Sequence, residues 1–336
     1  MPSSNCKDKV GWLLSHICDP EETAISVQDL TEVNLEDFFL ALEHHGIEPI
    51  AMRHLKTLHP NLPDGFQDKI AANNEKLFIA NALAMELEQR ARIIIKAMRQ
   101  KKLRVFNVKG PDFAANLYPN LSDRPFTDID LLIHPDDLKS AEDILIQLGY
   151  YQQLRKFWDK SETNMEQKWG TKENANVLIE VHTNMVHDKG LRRRLSFGYL
   201  ELLSITGSHE MNNLERFMIS VIHGAAGHKY HKLQMLVDIL QAFRKLDDAE
   251  LLTLKNVSTK LSANLEVATS LHLIHVLFGD KRAEETRSLF QLGLSGSLSK
   301  RLLSANTIIN THDDPRNVSR LRRHAFRFLQ QRSRKN

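Results

Sequence analysis

The sequence predicts an α+β protein, a small sheet set between two helical regions. Three observations lead there: apolar residues recur at helical spacing up to about residue 100, the period shortens to two from Leu103, and helical spacing returns after Asn184. A chain of 336 residues exceeds what one hydrophobic core usually supports. Four segments are therefore expected: an N-terminal helical region (1–100), a core that carries the chemistry (101–185), a C-terminal helical lobe (186–310) and a basic amphipathic tail (311–336).

In the first segment Asn34 is placed to cap a helix whose inner face uses Leu35, Phe38, Phe39 and Leu42 and which Gly46 and Pro49 end. Phe66 to Arg99 carries Ile70, Leu77, Leu87, Ala91, Ile94 and Met98 near the helical period, a scaffold ahead of the core. Leu103 to Val108 reads as a first strand ending at Lys109-Gly110, with Pro111 in the first turn of the next helix. Phe126 to Ile133 is a second strand. Asp136 and Asp137 then open a helix that closes at Gly149, and as first-turn acids they favour its dipole. Tyr150 to Lys156 is a third strand, Phe157 to Lys172 a polar connection, and Asn176 to His182 a fourth strand. Beyond it, Leu214 to Val221 leads through a His- and Gly-rich stretch into a helix over Leu233 to Leu246, and further helices fill 250–310. The tail sets Val318, Leu321, Ala325, Phe328 and Leu329 on one stripe.

Two of these strands carry acids where strands disfavour them. Side chains alternate faces along a strand, so Asp128 and Asp130 share one face while Ile129 and Leu131 take the other. Like charges so close repel, and keeping both ionised at neutral pH calls for a cation between them. Hard oxygen ligands without Cys suit Mg²⁺, with Mn²⁺ as an alternative. Glu180, between Ile179 and Val181, repeats the pattern, and three such carboxylates can hold two ions roughly 4 Å apart. Lys109-Gly110, at a strand-to-helix turn, aims backbone N–H groups at one point, which suits phosphate.

The order Lys109-Gly110, then Arg124-Pro-Phe-Thr-Asp128-Ile-Asp130-Leu-Leu, then Glu180-Val-His182 resembles the uncharacterised bacterial nucleotidyltransferase family of the DNA polymerase beta-like superfamily, over about residues 70 to 245. The resemblance implies a mixed sheet flanked by helices, with Asp128, Asp130 and Glu180 as metal ligands and catalytic carboxylates for a nucleoside triphosphate such as ATP. It also implies a helical lobe, extending through the His-rich stretch to Asp238, that closes over the nucleotide. The superfamily's turn usually reads Gly-Ser or Gly-Gly; here Pro111 follows Gly110, so a serine contact to phosphate is missing.

Other positions stay open between chemical and structural roles. Lys109 neutralises phosphate or pairs with a nearby acid. Arg124 reaches phosphate, or fixes its loop by pairing with Asp123 or Asp128. His182 shares a face with Glu180 and touches the acceptor or metal environment, or is a satisfied buried histidine. His223 and His228, five apart, lack one-face zinc spacing. Lys229 is a candidate phosphate contact from the helical lobe, and Asp238 a structural partner for one of these cations. From Pro315 the tail holds eight Lys or Arg and no acid, against a net charge of +3 for the chain, so any contact with nucleic acid is local to 316–335, where Phe326 or Phe328 can stack on a base.

Cys6 and Cys18 are too few for a disulfide framework, the N-terminus lacks a signal-peptide pattern, and no window approaches a membrane span. A cytoplasmic protein is expected. The expected activity is Mg²⁺-dependent transfer of a nucleoside monophosphate from NTP to an acceptor hydroxyl, with the acceptor (small molecule, protein or RNA) left open. The alternatives are a non-catalytic nucleotide-binding relative that acts as sensor or partner-binder, and an Asp-x-Asp glycosyltransferase.

Overall fold

The computed structural model of the chain describes residues 6–22, 25–31, 33–58, 61–153, 165–208, 210–309 and 318–333. Its centre is a five-stranded mixed sheet of β1 (Val105–Val108), β2 (Asp128–Ile133), β3 (Tyr150–Gln152), β4 (Glu166–Thr171) and β5 (Leu178–His182), in the spatial order β1-β2-β5-β4-β3. Only the β2–β5 pair is parallel, which sets Asp130 beside Glu180 and Leu132 beside His182.

The alternation along these strands divides the apolar residues into two cores. Val105, Ile129, Leu131, Ile133, Trp169, Ile179 and Val181 face the helices Phe66–Gln100 and Leu138–Gln147, meeting Leu87, Ala91, Ile94, Met98, Ala141 and Leu145. On the opposite face Phe106, Val108 and Leu132 join a larger core shared by the N-terminal helices and the C-terminal lobe. The chemical side chains occupy the rest of that second face, so they sit in the seam between sheet and lobe.

Local signals explain most element ends. Asn34 caps the Leu35–His45 helix by accepting from the Asp37 N–H, and Gly46 ends it in the left-handed conformation. Pro49 does not help end that helix; it lies in the first turn of the next one, Glu48–Leu58, where a missing N–H costs nothing. Asp137, read as a dipole acid, also takes a two-pronged ion pair from Arg104 at 2.8 and 2.9 Å.

Three further readings of the sequence are corrected. The polar connection proposed to run to Lys172 contains β4 from Glu166 onward, while 157–164 lie outside the described residues. The third strand ends at Gln152, and 154–156 of its expected span also lie outside them. In the Val318–Arg332 helix the buried positions are Ser319, Phe326, Arg327 and Gln330, whereas Leu321 and Phe328 of the expected stripe are 65% and 53% exposed. The helix docks through polar bonds: Arg327 donates to the Ala226 carbonyl, Gln330 to the Ala225 carbonyl and Glu266, and Phe326 meets the Tyr230 ring. No described helix is long and apolar enough to cross a membrane.

Candidate functional site

The site begins at the turn after β1. Lys109 has φ +61°, and Gly110 follows at +38°. Only glycine suits the second position: a Cβ there would lie 3.1 Å from the carbonyl oxygen of Asp128, so the turn is pressed against the start of β2. Pro111 occupies the first turn of the Gly110–Leu117 helix. Sterically unfavourable backbone at a non-glycine residue persists where packing enforces it and is frequent at functional sites.

This turn delivers the Lys109 ammonium to Asp130, 2.7 Å from Oδ1. His182 Nε2 approaches the same oxygen at 2.9 Å. Burial alone would push the Asp130 carboxyl up, but Lys109 and His182 together hold it well below the usual carboxylate range. Lys109 is buried as well; burial disfavours its charge, and Asp130, Asp128 and Glu180 more than restore it, so its pKa lies above the ordinary lysine value.

Asp128 lies on the same face, two residues earlier, and no hydrogen bond or ion pair reaches its carboxylate among the described residues. Burial first, then the charges of Asp130 and Glu180, lift its pKa to about 6. Glu180 is held by Lys168 of β4, 2.7 Å from Oε1, and its Oε2 lies 3.6 Å from His182 Nε2. Asp130, Glu180 and His182 offer ligand atoms within 4.8 Å of one another; Asp128 borders that group without being part of it.

The arginine and the lobe lysine take different places. Arg124 is buried and pairs with Asp238, at 2.8 and 2.9 Å, rather than with Asp123 or Asp128; Asp238 also accepts from the Tyr118 hydroxyl at 2.6 Å. Its remaining nitrogen faces the Gly110 carbonyl at 3.5 Å, so the pair braces the turn. Asp123 is instead engaged by Arg53. Lys229, with φ +55°, follows a π-helical turn (His223–Gly227) at the end of the Asn213–Ile222 helix. Burial and the neighbouring Arg327, Arg323 and Arg320 lower its pKa.

The π turn and the residues after it bring a group of imidazoles within electrostatic reach of Lys109. The His223 and His228 rings meet at 4.6 Å, and those of His228 and His231 at 5.1 Å. Burial, aided by Lys109, keeps His223 neutral, and burial with His231 and Lys109 brings His228 to about 3. Sequence reasoning weighed His223 and His228 only as zinc ligands and did not single out His231. It did not single out Lys168, Glu166 or His187; the sole signal for the first two was the alternation Gln167-Lys168-Trp169 in a stretch with one large apolar residue.

A mixed sheet that sets three acids from two neighbouring strands beside a glycine turn has the layout of a nucleotidyltransferase core. The chain belongs to a family described as uncharacterised nucleotidyltransferase, which matches residues 31–279. No curated protein and no solved structure matches it.

Proposed function

We propose that the chain transfers a nucleoside monophosphate from an NTP, ATP among them, to an acceptor hydroxyl and releases pyrophosphate. The observation that carries this is the parallel register of β2 and β5, which aligns Asp130 with Glu180 and keeps Asp128 on the same face beside the Lys109-Gly110 turn. The donor set fits divalent cations. Asp128 is a half-buried carboxylate with no direct partner among the described residues; burial and then its acidic neighbours raise its pKa, and a cation relieves that repulsion. Asp128, Asp130 and Glu180 would hold Mg²⁺, with Mn²⁺ as the substitute. Two such ions supply charge neutralisation of the triphosphate and a lowered pKa for the acceptor hydroxyl.

The chain's own groups do the rest. The acceptor oxygen bonds to the α-phosphorus as the bond to the bridging β-phosphate oxygen breaks, and the acceptor proton passes to Glu180 or to solvent. Lys109 exchanges part of its hold on Asp130 for the phosphate oxygens. Arg124, fixed by Asp238, keeps the turn in place. Lys229 approaches the phosphates from the lobe, and the His223–Gly227 turn covers them.

Incubation with each α-labelled NTP, Mg²⁺ and a cell extract tests the reading. Label should move to one molecular class with stoichiometric pyrophosphate, and Asp128→Asn combined with Asp130→Asn should reduce transfer at least about 1,000-fold with an unchanged circular-dichroism spectrum. Equal turnover by that double variant would remove the mechanism. NTP binding without pyrophosphate release from any acceptor class would instead make the protein a nucleotide sensor.

A further inference from the structure

A second group of metal-ligating side chains lies further along the sheet from Asp128. Glu166 of β4 sits across from His182 of β5, and His187 follows just past the end of β5. One ligand atom from each of the three lies within 4.8 Å of the other two. His187 Nδ1 stands 3.2 Å from Glu166 Oε2, and the rings of His182 and His187 are 5.4 Å apart and inclined by only 23°. His182 is 2% exposed; its Nε2 is taken by Asp130, and its Nδ1 is buried with no hydrogen-bond partner among the described residues. The proposed transfer reaction has no use for that nitrogen.

We propose that Glu166, His182 and His187 bind a transition-metal cation of the Zn²⁺ type, separate from the oxygen-ligated Mg²⁺ ions. Two imidazoles and one carboxylate suit borderline cations and serve Mg²⁺ poorly. The same donor set leaves a fourth tetrahedral position open for water or a ligand. Because Asp130 bonds to Nε2, the ring proton resides there and the Nδ1 lone pair is left for the cation; a carboxylate behind a ligating imidazole is the usual means of holding its orientation. On Glu166, Lys168 stands 3.2 Å from Oε1 and His187 Nδ1 3.2 Å from Oε2. His187 is nearly half exposed, giving the cation a route in from solvent. His182 then joins the two centres, with Asp130 on one nitrogen and the new cation on the other.

The test is a metal titration of the full chain and needs no substrate, so its result is independent of whether nucleotidyl transfer occurs. Co²⁺ serves as the coloured probe and Zn²⁺ as the competitor. The wild-type chain should bind one Co²⁺ with the visible absorption of a four-coordinate ion, and Zn²⁺ should bleach it. His187→Ala and Glu166→Gln should each weaken Zn²⁺ binding at least about tenfold, whereas Asp128→Asn should change it less than about twofold. A Zn²⁺-dependent rise in Tm, present in wild type and lost in His187→Ala, confirms that the folded variant lacks the site. Equal Zn²⁺ affinity in wild type and His187→Ala overturns the proposal. So does a loss in Asp128→Asn as large as in His187→Ala, since the ion would then sit among the carboxylates.

Discussion

Asp128 is the acid in the site that no cation among the described residues meets directly, and replacing it tests this without any substrate. Its pKa rises from the ordinary 3.8 to about 6 because of burial and then Asp130 and Glu180, against the pull of Lys109. The sign follows from which state ionises first. Below pH 3.8 folded and unfolded chains are both protonated and the group is neutral in its effect; between 3.8 and about 6 only the unfolded chain ionises readily; above 6 the folded state bears the whole cost. At about 1.4 kcal/mol per pH unit that interval amounts to an upper figure of about 3 kcal/mol, reduced by the solvent the side chain still touches. Asp128→Asn keeps the shape and removes the charge. In chelator at pH 8 the variant should be about 1 to 3 kcal/mol more stable than wild type by urea unfolding, and at about pH 3 the difference should all but vanish. Added Mg²⁺ should narrow the gap at pH 8 by stabilising wild type alone. A wild type that is the more stable protein at pH 8 in chelator, or a gap of equal size at both pH values, would refute the account of the site's electrostatics.

Other substitutions probe the supports of the site. Gly110→Ala places a Cβ 3.1 Å from the Asp128 carbonyl at a φ of +38°, and should cost about 1 to 3 kcal/mol in thermal unfolding and weaken NTP binding in calorimetry; an unchanged Tm would mean the turn relaxes freely. Asp238→Ala strands the buried Arg124 charge and should cost about 3 to 5 kcal/mol in urea, with Arg124→Met recovering part of the loss when combined with it; strict additivity of the two would contradict a direct pair. Arg327→Met removes the donor to the Ala226 carbonyl and should lower stability by about 1 to 3 kcal/mol, measured as a shift in urea midpoint; no shift would show that the carbonyl finds water instead.

How far the sequence could be read depends on how local each signal is. The acids of β2 and β5 stood out because each interrupts an apolar strand, and their sharing of a face follows from strand alternation and the parallel register. The partner of Arg124 could not be read locally, since Asp238 lies 114 positions away and competes on paper with Asp123 and Asp128, both nearer in the chain. β4 was hidden because its positions toward the Phe66–Gln100 and Leu138–Gln147 helices are Gln167, Trp169 and Thr171, only one of them a large apolar residue, while Lys168 and Glu166, on the face that carries the carboxylates, read as loop. The Val318–Arg332 helix was misread for the opposite reason. Its apolar stripe was real in sequence, but the surface that receives it offers backbone carbonyls and Glu266, which call for Arg327 and Gln330.

The bond from Arg327 to the Ala226 carbonyl joins positions 101 apart. On the ribosome, the His223–Gly227 turn emerges long before the arginine that secures it, so the chain passes through a stage in which Asp128, Asp130 and Glu180 are already made and that turn is still unfastened. A chain clipped ahead of residue 318 would retain Asp128, Asp130 and Glu180 while losing that fastening.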